Sequence, residues 1–286
     1  MPDVTDGAAL GAILASTALV FGAGARMRGR WCGIGAAVIF VSTPVIWRQY
    51  QVAPATLYPL LYVAGWLAAI AFFEATAQRA ALLVAGGLLG AGVYVSPAAA
   101  VMMTAYLLLT IAAVPSLRRW PPTALAWFAG AFAVAAAPFA ARMVLRPDRF
   151  RLIVNTAHLY DANRFNVLQG IREMTSWVGL TARSEVYYDY FNPAFLFLSP
   201  GVLLWPLAIL IPVGLYHIVD GETHAAARLA VGGFLAAPLA ASLTALAPTP
   251  ERILFITPFA AMVAMFGLER LVQLIAGARS PRTANP

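Results

Sequence analysis

The stretch RMVLRPDRFRLIVNTAHLYDANRFNVLQGIREMTSWVGLTARSEVYYDYFNP, residues 142–193, is the one long polar interruption in a chain that otherwise passes from one apolar run to the next. It holds seven of the 19 arginines (Arg142, Arg146, Arg149, Arg151, Arg164, Arg172, Arg183). It also holds five of the 12 carboxylates (Asp148, Asp161, Glu173, Glu185, Asp189) and His158. Reading this stretch as an extramembrane loop, and its surroundings as membrane spans, decides the fold: an all-α, polytopic transmembrane helical bundle.

Composition supports that reading. The chain has 286 residues, 61% hydrophobic and only 11% charged, with a mean hydropathy of +0.77. So few charges could not cover the apolar surface of a soluble protein of this length. The net charge of +7 comes wholly from arginine, since lysine is absent. Because these arginines flank apolar runs, they read as topology determinants and not as a nucleic-acid surface. The single cysteine, Cys32, excludes an internal disulfide, and no Cys/His cluster offers a metal site. The start of the chain, with Asp3 and Asp6, lacks the basic region of a cleavable signal.

Crossing about 30 Å of hydrocarbon takes roughly 20 apolar residues. Runs near 7–25, 31–46, 57–77, 122–141, 198–217, 229–247 and 253–275 meet or approach that requirement. The run 80–114 is too long for one span and carries Ser96-Pro97 at its middle. Proline has no amide proton and disfavours helix before it, so two short helices are expected, 80–95 and 98–114. The result is about nine spans, in three parts: N-terminal helices 1–141, a loop 142–197, and C-terminal helices with a tail, 198–286.

Arginine asymmetry orients the spans. One side collects Arg26, Arg28, Arg30, Arg79, Arg118, Arg119, Arg228, Arg270, Arg279 and Arg282, against Arg48 and Arg252 in the short loops of the other. The expectation is a multi-pass protein of the inner (plasma) membrane with a cytoplasmic C-terminus, an external N-terminus, and the 142–197 loop in the periplasm or its equivalent. Within that loop Phe150, Ile153, Val154 and Ala157 fall at helical spacing. So do Phe165, Leu168, Ile171 and Val178, with Arg164, Gln169, Arg172, Glu173 and Ser176 around them. Such stripes predict interfacial helices or a small cap on the bundle.

No span has an ionisable residue in its middle, which speaks against ion-coupled transport. Gly86-x-x-x-Gly90 reads as helix packing. No phosphate-binding loop, nucleophile elbow or zinc-protease motif is present. His158 and Asp161 would share a helix face, as a general base and its orienter or, more simply, as a hydrogen-bonded surface pair. His217 and His224 read as boundary residues. Arg48, beside Tyr50, and Arg252, beside Glu251, stand on the arginine-poor side, where they either snorkel to the interface or bind phosphate.

Several stretches together resemble the GT-C membrane glycosyltransferases, the bacterial protein-mannosyltransferase and aminoarabinose-transferase-like enzymes. Ser42-Thr43-Pro44-Val45-Ile46-Trp47-Arg48-Gln49-Tyr50 is similar to their third-to-fourth helix junction. Gly86 to Gly92, continuing through Ser96-Pro97-Ala98, looks like their small-residue helix and its break. Tyr187-Tyr188-Asp189-Tyr190-Phe191-Asn192-Pro193-Ala194-Phe195-Leu196-Phe197 resembles the end of their large external loop. Glu251-Arg252-Ile253-Leu254-Phe255-Ile256-Thr257-Pro258, running into Gly267-Leu268, resembles their closing helix.

The resemblance implies inverting transfer of a sugar from a polyprenyl-phosphate donor to an acceptor (protein, lipid or glycan) on the external face. No metal or other cofactor is expected. In that family an aspartate in the first external loop acts as base. This chain resembles the family from its second helix onward, so the catalytic residue is left unassigned; Asp3 and Asp6 are what lies near that position. Arg48 and Arg252 would stabilise the leaving phosphate. Tyr50, Tyr188, Asp189, Tyr190 and Asn192 would bind donor or acceptor by stacking and hydrogen bonding. The competing expectation is a non-catalytic or lipid-linked-sugar-transporting membrane protein, which would need a polar path through the bundle.

Overall fold

A computed structural model describes residues 4–117, 122–156, 159–198, 201–221, 224–244 and 247–279. Most of these residues are helical, with no strand among them. Five helical stretches are long and apolar enough to cross a membrane: Gly7–Arg28, Pro54–Thr76, Thr123–Leu145, Ala225–Ser242 and Ile256–Ala276. Three shorter apolar helices, Arg79–Gly92, Pro97–Ala113 and Leu207–Gly221, accompany them. This is the helix content of a membrane protein.

α1 (Val4–Arg28) is followed at once by α2 (Arg30–Val41), the chain turning at Gly29 with φ of 93°. Only glycine adopts that conformation without strain. The two helices then pack through glycine: a Cβ on Gly24 would lie 2.9 Å from the Cα of Gly33. α2 does not run on to residue 46, as the apolar count suggested. It stops at Val41, and α3 (Pro44–Val52) leaves at an angle of 44°. Pro44 is the first residue of α3 and forces Thr43 out of helical geometry, into extended backbone.

A 3₁₀ turn at Pro54–Leu57 leads into α4 (Tyr58–Thr76), which Ala77 ends in left-handed conformation. The expected division of 80–114 is present. α5 (Arg79–Gly92) and α6 (Pro97–Leu117) are separated by a turn, and the Ser96 hydroxyl accepts the Ala99 N–H at 3.0 Å. α7 (Pro122–Leu145) packs on α5 where Gly86 faces Phe128 and Ala131, and Gly90 faces Phe132 and Ala135. The Gly86-x-x-x-Gly90 spacing is therefore a packing seam. Pro138 inside α7 opens its hydrogen-bond ladder, and Tyr94 fills the gap. The tyrosine hydroxyl accepts from the Phe139 N–H at 3.0 Å and donates to the Ala135 carbonyl at 3.0 Å.

The polar interval folds into α8 (Pro147–Thr156), α9 (Val167–Met174) and α10 (Trp177–Asp189). Asn166 and Gln169 form a reciprocal capping box at the start of α9, and Ser176 caps α10 by accepting the Gly179 N–H. Their apolar residues stay outside: Leu168 is 79% exposed, Trp177 85% and Val178 77%. A segment at Ala194–Leu198 follows. The span expected at 198–217 begins late, because residues 201–206 are irregular, with Gly201 at φ 60°, and α11 starts only at Leu207 (Leu207–Gly221). α12 (Ala225–Ala236) likewise starts before residue 229, and Pro238 separates it from the short α13 (Leu239–Ser242). A 3₁₀ turn at Pro250–Ile253 precedes α14 (Ile256–Arg279). α11 runs parallel to α14, with Gly214 against Val263 and Gly267 against Leu210, so the two backbones approach directly.

At the centre Trp66 stacks on Tyr106 with ring centroids 5.2 Å apart, and Phe259 stands edge-on to both. The helix ends sort into two groups. One gathers Arg28 with Glu269 at 3.9 Å, Arg26 over the Phe72 ring, and Glu74, whose two oxygens accept the N–H groups of Ala225 at 2.6 Å and Ala226 at 2.9 Å. Glu269 is fourteen positions along the chain from Phe255, roughly 20 Å of helix. Phe255 belongs to the other end, where the polar interval sits.

Candidate functional site

At that other end a cavity of about 440 Å³ opens where three chain junctions converge. The 3₁₀ turn before α4 contributes Thr56, and the first turn of α4 contributes Pro59 and Leu60. The α5–α6 break contributes Val95 and Ser96. The segment from α13 to α14 contributes Thr244, Glu251, Arg252 and Phe255. The walls are thus apolar on the helix side and polar around Thr244, Glu251 and Arg252.

Each polar group is positioned by local structure. Pro250 opens the 3₁₀ turn, and the Arg252 N–H returns to the Thr249 carbonyl at 3.2 Å. The half-buried Arg252 side chain donates from Nη1 to Thr244 Oγ1 at 3.1 Å. Thr244 donates in turn to the Ala241 carbonyl at 2.7 Å. One edge of the guanidinium is thereby fixed, and its remaining N–H groups meet no hydrogen-bond acceptor among the described residues. Glu251 is exposed beside it.

The polar interval is bolted over this region. Arg183 donates to three carbonyls: Leu243 from Nε at 3.1 Å, Gly179 from Nη1 at 3.0 Å and Leu159 from Nη2 at 3.0 Å. Burial lowers its guanidinium pKa, with Glu173 acting in the opposite sense. The Tyr187 hydroxyl donates to the Leu235 carbonyl at 2.8 Å, and the Tyr190 hydroxyl accepts from the Thr249 N–H at 3.4 Å. Burial pushes the Tyr190 phenol above its ordinary range, while the Thr249 bond and the Arg252 charge pull against that rise.

Of the residues expected to bind substrate, Arg252 lies on the cavity wall. Tyr190 is fully buried, its ring edge-on to Phe195. Asn192 accepts the Ala194 N–H at 2.9 Å and so closes the end of the loop. Tyr188 and Asp189 are exposed on the last turn of α10. Arg48 is exposed and Tyr50 half-buried on α3, where Tyr50 meets Trp47 edge-on; α3 packs near the 250–253 turn. His158 lies outside the described residues, and Asp161 pairs with Arg164 at 3.3 Å. Thr244, which orients Arg252, and Arg183, which fastens the loop, went unassigned by sequence reasoning. Among the described residues no three His, Cys, Asp or Glu side chains come together as a metal site.

The fold and site define a helical membrane protein with a polar-walled cavity at the end that carries its polar interval. No protein-family model, curated protein or solved structure matches this chain.

Proposed function

We propose that this protein is a membrane glycosyltransferase of GT-C type, moving a sugar from a polyprenyl-phosphate donor to an acceptor at the cavity that Arg252 lines. The observation that carries this reading is the Arg252 guanidinium, held by Thr244 on the rim of a cavity with apolar walls from Leu60 and Phe255. A lipid phosphate needs both features: a fixed cation for its oxygens and a dry surface for its first isoprene units.

In this reading the acceptor hydroxyl oxygen attacks the anomeric carbon. The bond from that carbon to the phosphate oxygen breaks, and the lipid phosphate leaves with the electron pair. Arg252 stabilises the charge that grows on it. The hydroxyl proton must pass to a base, and Glu251 is the carboxylate on this wall.

The same reading takes as spans the five long helices, the bent α2–α3 pair and the three shorter apolar helices, and makes nine. It sets the cavity, the 142–197 loop, Arg48 and Arg252 on the external face of the plasma membrane, with the C-terminus in the cytoplasm. The exposed Trp177, Leu168 and Val178 then face the membrane interface. Tyr188, Asp189 and Asn192 stand at the loop's exit, where an acceptor would arrive.

A second reading, binding or carriage of a lipid-linked sugar without transfer, is favoured by the exposure of Glu251. An open carboxylate is less suited to serve as a base than an enclosed one. The test is transfer of radiolabelled sugar from polyprenyl-phosphate donors by the full chain in nanodiscs. Turnover lost in Arg252→Ala supports transfer. Donor binding with no turnover under any acceptor supports the second reading, and no donor binding sinks both.

A further inference from the structure

A second cavity, about 600 Å³, runs between α1, α4 and α5 toward the opposite end of the bundle. It is a groove, lined along its length by Ala18, Gly22, Leu61, Ala68 and Leu88, and it ends at Arg26 and Gln78. From Ala18 to Arg26 is eight positions of helix, or about 12 Å. Small residues make its floor: a Cβ on Gly22 would meet nothing within 4 Å.

The mouth is cationic. The Arg26 guanidinium lies over the Phe72 ring, 4.1 Å from its centroid. Stacking holds the plane of the group and leaves its N–H edges open. Arg79 stands between the lining residues Gln78 and Ala80 and is exposed. Neither arginine has a carboxylate partner among the described residues. The acid of this region, Glu74, is spent on the N–H groups of Ala225 and Ala226. Two uncompensated cations at the end of an apolar groove complement a molecule with an anionic head and a hydrocarbon tail.

The geometry points to a binding site for one anionic phospholipid, its phosphate between Arg26 and Arg79 and one acyl chain along α1, α4 and α5. The site is independent of the Arg252 cavity and of any transfer reaction. Its occupant fastens α1 to the α4–α5 pair from the lipid side.

Native mass spectrometry of the purified full chain tests this, with phosphatidylglycerol or phosphatidylcholine added from mixed micelles. The wild type should retain one phosphatidylglycerol with a preference over phosphatidylcholine on the order of tenfold or more, given two arginines near a membrane surface. Arg26→Gln/Arg79→Gln should erase that preference. Gly22→Leu, which fills the groove and leaves both arginines, should abolish retention while the lipid-free protein keeps the wild-type melting temperature. Equal retention of the two lipids by the wild type would overturn the assignment, as would phosphatidylglycerol retention unaltered in both variants. Displacement of the lipid by equimolar inorganic phosphate would overturn it too, by showing an anion site with no use for the chain.

Discussion

Arg252 Nη1 lies 3.1 Å from Thr244 Oγ1, so the arginine of the candidate site is aimed by a hydroxyl from the turn that follows α13. In this role Thr244 acts through Arg252; it positions. Removing the charge and removing the aim should therefore differ in size. Arg252→Ala should weaken polyprenyl-phosphate binding by about ten- to a hundredfold, since charge-assisted hydrogen bonds contribute about 1.5–3 kcal/mol. Thr244→Val should cost only several-fold, and Arg252→Lys should fall between. Titration of the lipid phosphate into nanodisc protein reads all three.

The loop's attachment gives a second expectation. Arg183 ties Leu159, Gly179 and Leu243 together by their carbonyls. Arg183→Met keeps the stem and deletes the bonds. Discounted for partial exposure, the loss is about 1–3 kcal/mol of docking free energy. Hydrogen exchange should accelerate across residues 159–189, while α4 and α14 keep their protection. Uniform acceleration throughout the bundle would count against a local bolt.

Adjacent glycines on α5 should behave oppositely. A Cβ at Gly86 would meet Phe128 backbone and Ala131 Cβ, the latter at 3.1 Å, whereas one at Gly87 would meet nothing within 4 Å. Gly86→Ala is expected to destabilise by about 1–3 kcal/mol through overpacking. Gly87→Ala should be neutral or stabilise by up to about 1 kcal/mol, the helix-propensity difference. Thermal unfolding in detergent distinguishes them.

The Tyr94 insertion predicts a coupled pair. Tyr94→Phe leaves the Phe139 N–H and Ala135 carbonyl without their bridge, at a cost of about 1–3 kcal/mol. Pro138→Ala lets α7 close its own ladder, so the same tyrosine change in that background should cost much less. Additive effects in the double variant would mean that the proline is not why the tyrosine is there.

Tyr190 gives the pH dependence. Its phenol is raised by burial, so the folded loop holds the proton more tightly than the unfolded chain, where the pKa is about 10. Docking is fully present below pH about 10 and is lost as pH rises through the raised folded value. Burial raises the Tyr187 phenol of the same loop as well, so absorbance titration should show late-ionising phenols accompanied by loop release, and Tyr190→Phe should remove the Tyr190 share of that coupling.

Much of this architecture is legible in the residues themselves. Ser96-Pro97 marks the α5–α6 break because proline and a capping serine act locally. Gly86-x-x-x-Gly90 marks a seam because small residues at that spacing admit another backbone. Thr43-Pro44 carries the same kind of signal, yet an apolar count runs through it, since hydropathy records composition and not amide protons. The late start of α11 escapes for a related reason: residues 201–206 are as apolar as the helix that follows. Arg252 stands out by lying where arginines are scarce. Thr244 does not, because what it does depends on two turns of chain meeting in space. Arg183 is likewise one of seven arginines in the interval until folding puts three carbonyls around it.

The most direct measurement is photo-crosslinking of the full chain in nanodiscs with a polyprenyl phosphate bearing a diazirine on its first isoprene unit, mapped by peptide sequencing. Adducts should concentrate on the walls near Leu60, Val95 and Phe255, disappear when excess unlabelled lipid phosphate competes, and fall in Arg252→Ala. Adducts spread evenly over the lipid-facing helices, or undiminished by Arg252→Ala, would contradict the proposal.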